Sequence, residues 1–139
     1  QVCVEGTVER LTRRVVRHEQ EEIVNVTNDG GFKESEAAAQ HMANARFRAI
    51  ELRRPMIRSA NTGVSGIISA AGSLVDPATG DRQIVEDENG NHFTRGNLYG
   101  HAYAPVDGPL TLYTVAGDWF AWLMLVSLAV AIVRQRISG

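Results

Sequence analysis

The sequence has little of what several common protein classes require. Cys3 is the single cysteine, so the chain cannot form an internal disulfide, and the thiol is either a structural or a reactive group. The formal net charge is -2, which excludes a generally basic nucleic-acid-binding protein, because phosphate recognition needs accumulated positive charge. The histidines, His18, His41, His92 and His101, lack the tight paired spacing of a metal site. With 139 residues and 44% hydrophobic content, the chain is long enough for one domain with a core.

The first residues are not typical of a natural N-terminus. Gln1-Val2-Cys3-Val4 lacks an initiator methionine and does not have the charged and apolar regions of a signal peptide. We therefore expect the chain to be the C-terminal part of a longer protein.

The spacing of apolar residues predicts an α/β or layered α+β domain. The predicted elements are a helix at 7–19, a strand at 23–27, a turn at 28–31, a helix at 37–52, strands at 56–60 and 64–69, and a strand at 97–103. Val8, Leu11 and Val15 mark the apolar face of the first helix. Ser35 is the expected N-cap of the second helix, and Pro55 prevents its continuation.

Residues 73–91 differ in composition from the rest of the chain. They are rich in Asp, Glu, Gly, Asn and Pro, and only Ile84 and Val85 offer apolar side chains for burial. This pattern predicts an exposed, mobile excursion from the domain.

Residues 119–133 carry no charge and one polar residue, Ser127. Fifteen residues make about 22 Å of helix, less than the roughly 30 Å of a bilayer core, so length alone leaves both a spanning helix and a buried core helix open. The tryptophans Trp119 and Trp122 at one end and Arg134 and Arg136 at the other favour a spanning helix with the folded domain outside the cytoplasm.

The position of Cys3 before a predicted helix matters for its chemistry. Unpaired N–H groups in the first turn of a helix lower the pKa of a nearby thiol and can hold a developing negative charge. From the residues alone, an inert buried cysteine is favoured over a nucleophile.

A series of motifs extends along almost the whole chain. The motifs are Cys3-Val4-Glu5, Asn25-Val26-Thr27-Asn28-Asp29 with Phe32, Gln40-His41-Met42, Ala45-Arg46, Arg48-Ala49-Ile50-Glu51-Leu52, Arg54-Pro55, Arg58-Ser59, Asn61-Thr62-Gly63 and Gly72. Together they resemble the C-terminal half of the nitrilase, or carbon-nitrogen hydrolase, superfamily. Gln40-His41, Phe93-Thr94-Arg95-Gly96, and Leu112-Tyr113 followed by Gly117-Asp118-Trp119 make the chain most similar to the membrane branch, the apolipoprotein N-acyltransferases.

The resemblance implies the C-terminal half of a nitrilase-like α-β-β-α sandwich, followed by one C-terminal transmembrane helix. Residues 1–112 would form part of the catalytic domain, with the excursion at 73–91, and residues 113–139 a juxtamembrane segment and the membrane helix at about 119–133. The family's active site uses Glu, Lys and Cys, and Cys3 matches the nucleophile. The Glu and Lys belong to upstream segments, and Lys33 does not match the catalytic lysine. The chain alone is therefore expected to be inactive.

The resemblance also implies roles beside the nucleophile. Val4 would give its backbone N–H to the oxyanion hole, and Glu5 would be a supporting carboxylate, with an acid at a helix start as the alternative. Asn28 and Asp29 would lie at the active site, although both residue types are equally suited to a turn.

Further along the chain, Arg58 and Asn61 would hold the active-site loops together by hydrogen bonds. His41 is expected to be structural rather than catalytic. The family pattern Asn-Asp-x-Trp-Phe appears here with Gly31 in place of Trp, followed by Phe32. Because this loop is expected to meet the lipid substrate, the change puts placement of the acyl chain in question.

The activity that the resemblance implies is acyl transfer at the bacterial cytoplasmic membrane, with a periplasmic catalytic domain and a cytoplasmic C-terminus. Cys3 would take an acyl group from a phospholipid and pass it to the amino group of a diacylglyceryl-cysteine apolipoprotein, with no cofactor, metal or nucleic acid. Two alternatives remain open. One is an amidase of the same superfamily, which would have no need of the terminal helix. The other is an inactive membrane-anchored binding protein, which Gly31 supports.

Overall fold

The computed structural model describes residues 9–16, 22–32, 35–104 and 108–138. In chain order the elements are α1 (Glu9–Val16), β1 (Ile23–Thr27), a 3₁₀ turn (Gly30–Phe32), α2 (Glu36–Leu52), β2 (Met56–Ala60), β3 (Gly66–Ile68), α3 (Leu112–Ala116) and α4 (Trp119–Ser138). This mixture of helices with a small sheet confirms the predicted α/β class, and the final apolar helix is present as expected.

The three strands form one sheet in the order β1-β2-β3. β1 and β2 are parallel, in a register from Ile23 opposite Met56 to Thr27 opposite Ala60, and α2 connects them. β3 returns antiparallel to β2 after a short turn. The carboxyl ends of β1 and β2 are therefore side by side, and the N–H of Asn61 extends the pairing by donating to the Thr27 carbonyl at 3.2 Å.

The core lies between α2 and the sheet, with α1 packed against it. Its buried members are Val16, Ile23, Met42, Ala45, Ala49, Leu52, Met56, Val64, Ile68 and Ile84. On α2, the alanines among these residues allow the helix to approach the strands closely, because a methyl group takes up little space. The helix ends at Arg53, which has a left-handed conformation with φ 52°, just before Pro55.

β1 presents its residues in an unexpected orientation. Asn25 and Thr27 are buried with Ile23 on the α2 side, whereas Val24 and Val26 are 46% and 52% exposed on the opposite face. On α1, Leu11 of the predicted apolar face is exposed, whereas Thr12 and Val16 are buried. Val8 and the side chain of Val15, the other members of that face, lie outside the described residues.

The segment 73–91 is not a wholly exposed excursion. Asp76 and Gln83 are buried together with Ile84, and Ile84 pairs with Gly66 of β3. The backbone of this segment pairs with the outer edge of β3. The N–H of Ile67 donates to the Gln83 carbonyl, and the N–H of Val85 donates to the Ser65 carbonyl, both at 2.9 Å.

The strand predicted at 97–103 is wrong, because these residues form no strand. The edge of β3 that such a strand could pair with is already occupied by residues 83–85. Residues 97–103 instead lie beside that edge, where Gly100 comes close to the side chains of Gln83 and Ile67.

α4 is longer than predicted. Its 20 residues span about 30 Å at 1.5 Å per residue, which matches the thickness of a bilayer core. The stretch Trp119–Ile137 is long and apolar enough to cross a membrane, with a mean hydropathy of 1.6, and none of it is buried against the domain. The hydroxyl of Ser127 donates to the Leu123 carbonyl at 2.8 Å, so this polar side chain is satisfied within the helix.

Gly117 makes the connection between α3 and α4 possible. Its φ of 62° and ψ of -135° are a conformation that other residues rarely adopt. A Cβ at this position would also overlap the guanidinium of Arg13. Arg13 on α1 therefore packs directly on the backbone from which α4 departs.

Candidate functional site

The polar residues singled out in the sequence gather at the carboxyl ends of β1 and β2. In a parallel sheet these ends form one edge, where α/β proteins commonly place their functional groups. Asn28 and Asp29 follow β1, and Asn61 and Gly63 follow β2.

Asp29 is the centre of a buried polar cluster. Its Oδ2 accepts a hydrogen bond from Arg58 Nη2 at 2.8 Å, and its Oδ1 accepts one from Thr27 Oγ1 at 2.9 Å. His41 Nδ1 lies 2.9 Å from Oδ1 of the same carboxylate. The side chains of Asp29, Arg58 and His41 are 0%, 2% and 9% exposed. A carboxylate so enclosed needs all of these partners, because a buried charge without them is strongly unfavourable.

Arg58 connects the cluster to two other parts of the fold. Its Nη1 donates to Asn25 Oδ1 at 2.8 Å, and its Nε donates to the Val64 carbonyl at 3.2 Å. The planar guanidinium thus links β1, β2 and the turn before β3 in one geometry. Among the described residues, the buried Nδ2 of Asn25 has no hydrogen-bond partner.

His41 brings α2 into the same network. Its Nδ1 is 2.9 Å from Asp29 Oδ1 and 3.1 Å from Arg58 Nη2. A proton on Nδ1 donates to the carboxylate, whereas an unprotonated Nδ1 accepts from the guanidinium. In either state His41 is enclosed by charged partners.

Gly63 closes the turn after β2 over Asp29. It has φ +97°, and a Cβ at this position would lie 2.9 Å from Asp29 Oδ2 and 3.5 Å from the Cβ of Ala38 on α2. A side chain here would be strained and would displace the carboxylate. Glycine therefore allows the turn to seal Asp29 from solvent.

The remaining predicted site residues lie around the cluster. Asn28 is exposed, and its Oδ1 accepts the N–H of Gly30 at 3.1 Å, which is a turn interaction. Asn61 is exposed, and its Oδ1 accepts from Thr62 Oγ1 at 3.2 Å. The backbone of Phe32 ends the 3₁₀ turn. Cys3, Val4 and Glu5 lie outside the described residues.

Gly31 is exposed, and a Cβ added to it would meet no atom of the described residues within 4 Å. The described surroundings therefore do not require glycine at this position. Where the family pattern has Trp, Gly31 leaves space that no other described side chain fills.

Two cavities open at this edge of the sheet. One of about 330 Å³ is lined by residues that include Gly30, Asn61, Gly63 and Arg95. The other, of about 560 Å³, is lined by residues 57–61, 65–67 and 94–99 with Val85. Within the described parts of the chain, no group of three His, Cys, Asp or Glu side chains is placed to hold a metal ion.

A second polar cluster forms around Asp76. Its Oδ1 accepts from the Ala78 N–H at 2.8 Å and from the Tyr103 hydroxyl at 3.3 Å, and its Oδ2 lies 3.4 Å from His101 Nδ1. The hydrogen bond from Ala78 is the main reason that the pKa of Asp76 falls below its ordinary value, although burial opposes the shift. Burial, followed by the charge of Asp76, raises the pKa of Tyr103. The cluster ties residues 101–103 to the loop at 76–81.

Comparison with known proteins identifies the family. The carbon-nitrogen hydrolase family model matches residues 1–102. The chain belongs to the carbon-nitrogen hydrolase family. The resemblance drawn from the motifs is therefore confirmed, and the sheet edge described above is part of a carbon-nitrogen hydrolase domain.

Relatives within this family are similar along the chain. A Thermotoga maritima protein named apolipoprotein N-acyltransferase is 30% identical over 139 residues, which is 100% of this chain and 25% of the relative. Proteins of the same name from Bdellovibrio bacteriovorus and Bradyrhizobium diazoefficiens are 31% and 40% identical over 100% and 84% of the chain, and 23% and 19% of their own lengths. The chain thus spans a quarter or less of these three relatives.

Sequence reasoning selected Asp29 and Arg58 but missed the network that joins them to Asn25, Thr27 and His41. One signal was available. Asn25 and Thr27 occupy alternate positions in a strand, so both face the same side of the sheet. Two polar side chains on one face suggest a polar partner, but the sequence does not say that Arg58 supplies it.

We expect Arg58→Met to lower the free energy of unfolding by about 3–5 kcal/mol, because it leaves the buried Asp29 without its cationic partner. Arg82→Met is the matched control. The Arg82 side chain is 63% exposed and pairs with Glu86 at 3.0 Å, and the loss of this solvent-screened charge should cost about 1 kcal/mol or less. The measurement is denaturant unfolding of the full-length protein in detergent. Similar losses in both variants would contradict the central role of the Asp29–Arg58 pair.

Asp76→Asn should lower the thermal midpoint near neutral pH, because the amide lacks the charge that strengthens the hydrogen bonds from Ala78 and Tyr103 and lacks the second acceptor oxygen that faces His101. Since the pKa of Asp76 is lowered in the folded state, its stabilisation is present above the ordinary value of 3.8 and is lost as pH falls through the lower folded value. The difference in thermal midpoint between Asp76→Asn and wild type should therefore narrow only below pH 3.8. Thermal melts across pH test this, with Glu88→Gln as an exposed control. A difference in thermal midpoint that stays constant as the pH falls below 3.8 would contradict a stabilising role of the ionised Asp76 carboxylate.

Proposed function

We propose that the protein is an acyltransferase of the bacterial cytoplasmic membrane that matures lipoproteins. It would transfer a fatty acyl group from a phospholipid, through a thioester on Cys3, to the amino group of a diacylglyceryl-cysteine apolipoprotein. The observation that carries the proposal is the extent of similarity. Relatives named apolipoprotein N-acyltransferase match all 139 residues, including α4, whereas the hydrolase family model ends at residue 102.

The proposed chemistry divides a difficult transfer into two steps that suit a thiol. The Cys3 thiolate attacks the ester carbonyl of the phospholipid. A C–S bond forms, the C–O bond breaks, and the lysophospholipid hydroxyl leaves with a proton. The acceptor amine then attacks the thioester and passes a proton to the upstream Glu, an amide C–N bond forms, the C–S bond breaks, and the thiolate departs. Val4 would donate its backbone N–H to the oxyanion, and Glu5 would be a nearby supporting carboxylate.

The described residues support this proposal by supplying a rigid edge rather than the reacting groups. The Asp29–Arg58–His41 cluster holds the segments after β1 and β2 in place, and these segments carry Asn28, Gly31, Phe32 and Asn61. The catalytic Glu and Lys that the family uses would come from an upstream segment.

The exposed face of β1 supports the proposed domain organisation. Val24 and Val26 form an apolar surface opposite α2, where the second sheet of an α-β-β-α sandwich would pack. Residues 1–112 would then be one part of that sandwich, and residues 113–139 a juxtamembrane segment with the membrane helix.

The features of α4 support a spanning helix. It is about 30 Å long, and its apolar side chains are exposed on all sides, as expected for a helix in contact with lipid. Trp119 and Trp122 lie at the end near the domain, and Arg134 and Arg136 at the other. By the positive-inside rule, the domain would be periplasmic and the C-terminus cytoplasmic.

One alternative retains the fold without the activity. Gly31 replaces the family Trp and leaves open space, so a membrane-anchored binding protein would be consistent with this surface. An amidase of the same family would share Cys3 but would have no use for α4. Both alternatives differ from the proposal in the fate of an acyl group on Cys3.

Cys3→Ala and Cys3→Ser in the full-length protein should reduce lipoprotein N-acylation on the order of 10⁴-fold or more, because the nucleophile is lost. Incubation with acyl-labelled phospholipid should leave hydroxylamine-sensitive label on Cys3 of the wild type. Lys33→Ala is the control and should retain activity, because Lys33 does not match the catalytic lysine. Label that is released only as free fatty acid would favour an amidase-like hydrolase, and undiminished N-acylation in Cys3→Ala would exclude the proposed nucleophile.

A reporter fused after Gly139 should be cytoplasmic, whereas the same reporter fused after Asp118, before α4, should be periplasmic. Paired fusions to green fluorescent protein and alkaline phosphatase measure this, because each is active on one side of the membrane. Phosphatase activity after Gly139 would overturn the orientation. The same side for both fusion points would show that α4 does not span.

A further inference from the structure

A groove of about 830 Å³ lies between the end of α2 and the segment that leads into α4. Its walls include Ile50 on α2, Tyr103, and Leu110, Leu112 and Tyr113 around α3. Apolar side chains provide most of this surface, and several of them are exposed: Leu110, Leu112 and Tyr103 are 41%, 60% and 49% accessible.

The polar contacts beneath the groove give it a fixed shape. Arg54 is buried, and its guanidinium donates to the carbonyls of Arg53 at 3.1 Å and Gly108 at 3.3 Å. Thr111 Oγ1 donates to the Glu51 carbonyl at 2.6 Å and accepts from the Thr114 N–H at 3.0 Å. The segment before α3 is therefore attached to the end of α2 at two points.

Arg53 places a cation on the wall of this groove. Its φ of 52° is the left-handed conformation for which glycine is preferred at a helix end, and an arginine there costs about 1 kcal/mol or more. Among the described residues, no hydrogen bond or ion pair engages its exposed guanidinium. The neighbouring Glu51 is already paired with Arg48 at 2.8 Å. Among the described groups that line the groove, Arg53 thus carries a positive charge that no acidic side chain pairs with.

The apolar surface of the groove continues towards α4. Leu112 and Val115 on α3 are exposed, and Trp119 and Phe120 begin α4 three residues after α3 ends. If α4 enters the bilayer at Trp119, the groove lies near the level of the lipid headgroups. Tyr103 and Tyr113 are suited to that level, because their rings are apolar and their hydroxyls are polar.

We infer that this groove binds a membrane glycerophospholipid, with the Arg53 guanidinium paired to the phosphate and an acyl chain along Leu110 and Leu112. A guanidinium forms bidentate hydrogen bonds with phosphate. The apolar wall favours a phosphate that carries acyl chains, as a phospholipid does, over a soluble phosphate. The inference rests on the membrane placement of α4 proposed above, and it is independent of any chemistry at Cys3.

The test measures binding of phosphatidylglycerol to the full-length protein in detergent by native mass spectrometry. Arg53→Asn removes the cation but keeps a residue that tolerates the left-handed conformation, so the fold should persist. We expect its apparent Kd to rise about five-fold, while Arg53→Lys stays within about two-fold of wild type. Leu112→Gln, at an exposed position, should also weaken binding. Arg82→Asn removes an exposed cation that lines neither the groove nor the two cavities at the polar edge, so it is the matched charge control and should not change the affinity.

Two further ligands separate the possible sources of the signal. Diacylglycerol has no phosphate, and its binding should be equal in wild type and Arg53→Asn. Inorganic phosphate at millimolar concentration should not displace the lipid. Unchanged phosphatidylglycerol affinity in Arg53→Asn, or a site that takes phosphate but no lipid, would overturn the inference.

A Cys3→Ala background separates this result from the proposed catalysis, because it should keep the lipid affinity and its dependence on Arg53. If acyl labelling of the protein is absent while lipid binding is intact, the proposed acyl transfer is contradicted and lipid binding in the groove is not. If Arg53→Asn fails to fold, as judged by its thermal melt, the Leu112→Gln result decides. If Leu112→Gln then binds phosphatidylglycerol with wild-type affinity, the lipid does not bind in this groove.

Discussion

The buried ion pair between Asp29 and Arg58 is the interaction on which the rest of the described domain depends. Burying both charges is costly, and their attraction offsets that cost only when the other polar atoms are also satisfied. Thr27, His41, Asn25 and the Val64 carbonyl provide these contacts from two strands, a helix and a turn. A shift of any one of these elements would expose or orphan a charge. The cluster therefore specifies the arrangement of the sheet edge more than it adds to net stability.

α2 connects this edge to the segment from which the C-terminal helix α4 departs. Near its start, Ala38 packs beneath Gly63, and His41 enters the Asp29 cluster. At its other end, the Glu51 carbonyl accepts the hydroxyl of Thr111, which caps α3. With 17 residues, the helix is about 25 Å of rigid backbone. α4 leaves from α3 through Gly117, which is itself covered by Arg13, so its departure is fixed to the same framework as the polar edge.

The sequence predicted local elements well and their partners poorly. The strands at 23–27 and 56–60 have the predicted bounds, and α2 begins one residue earlier than predicted, because β-branched runs, Ser35 and Pro55 act over a few residues. The alternation of residues along a strand shows which side chains share a face, but it does not show which of the two faces is buried. For β1, the burial of Asn25 depends on its hydrogen bond with Arg58, 33 positions away in the sequence. The strand expected at 97–103 failed for a similar reason, since residues 83–85 already occupy the edge it needed. For the candidate site, motif order identified the family, while the roles of Cys3, Val4 and Glu5 stay predictions.

Besides the groove beside α3, the described domain leaves apolar surfaces exposed on β1 and on α4, and the shapes of these two favour different surroundings. Val24 and Val26 lie on a flat sheet face, where β-branched side chains interlock with another sheet. α4 is apolar around its whole circumference, and a helix of that kind is stable where its surroundings are apolar on every side. Neither surface suits water, and neither can substitute for the other's partner. A protein layer on the first and lipid around the second would leave the polar edge, with its cavities, accessible to soluble groups.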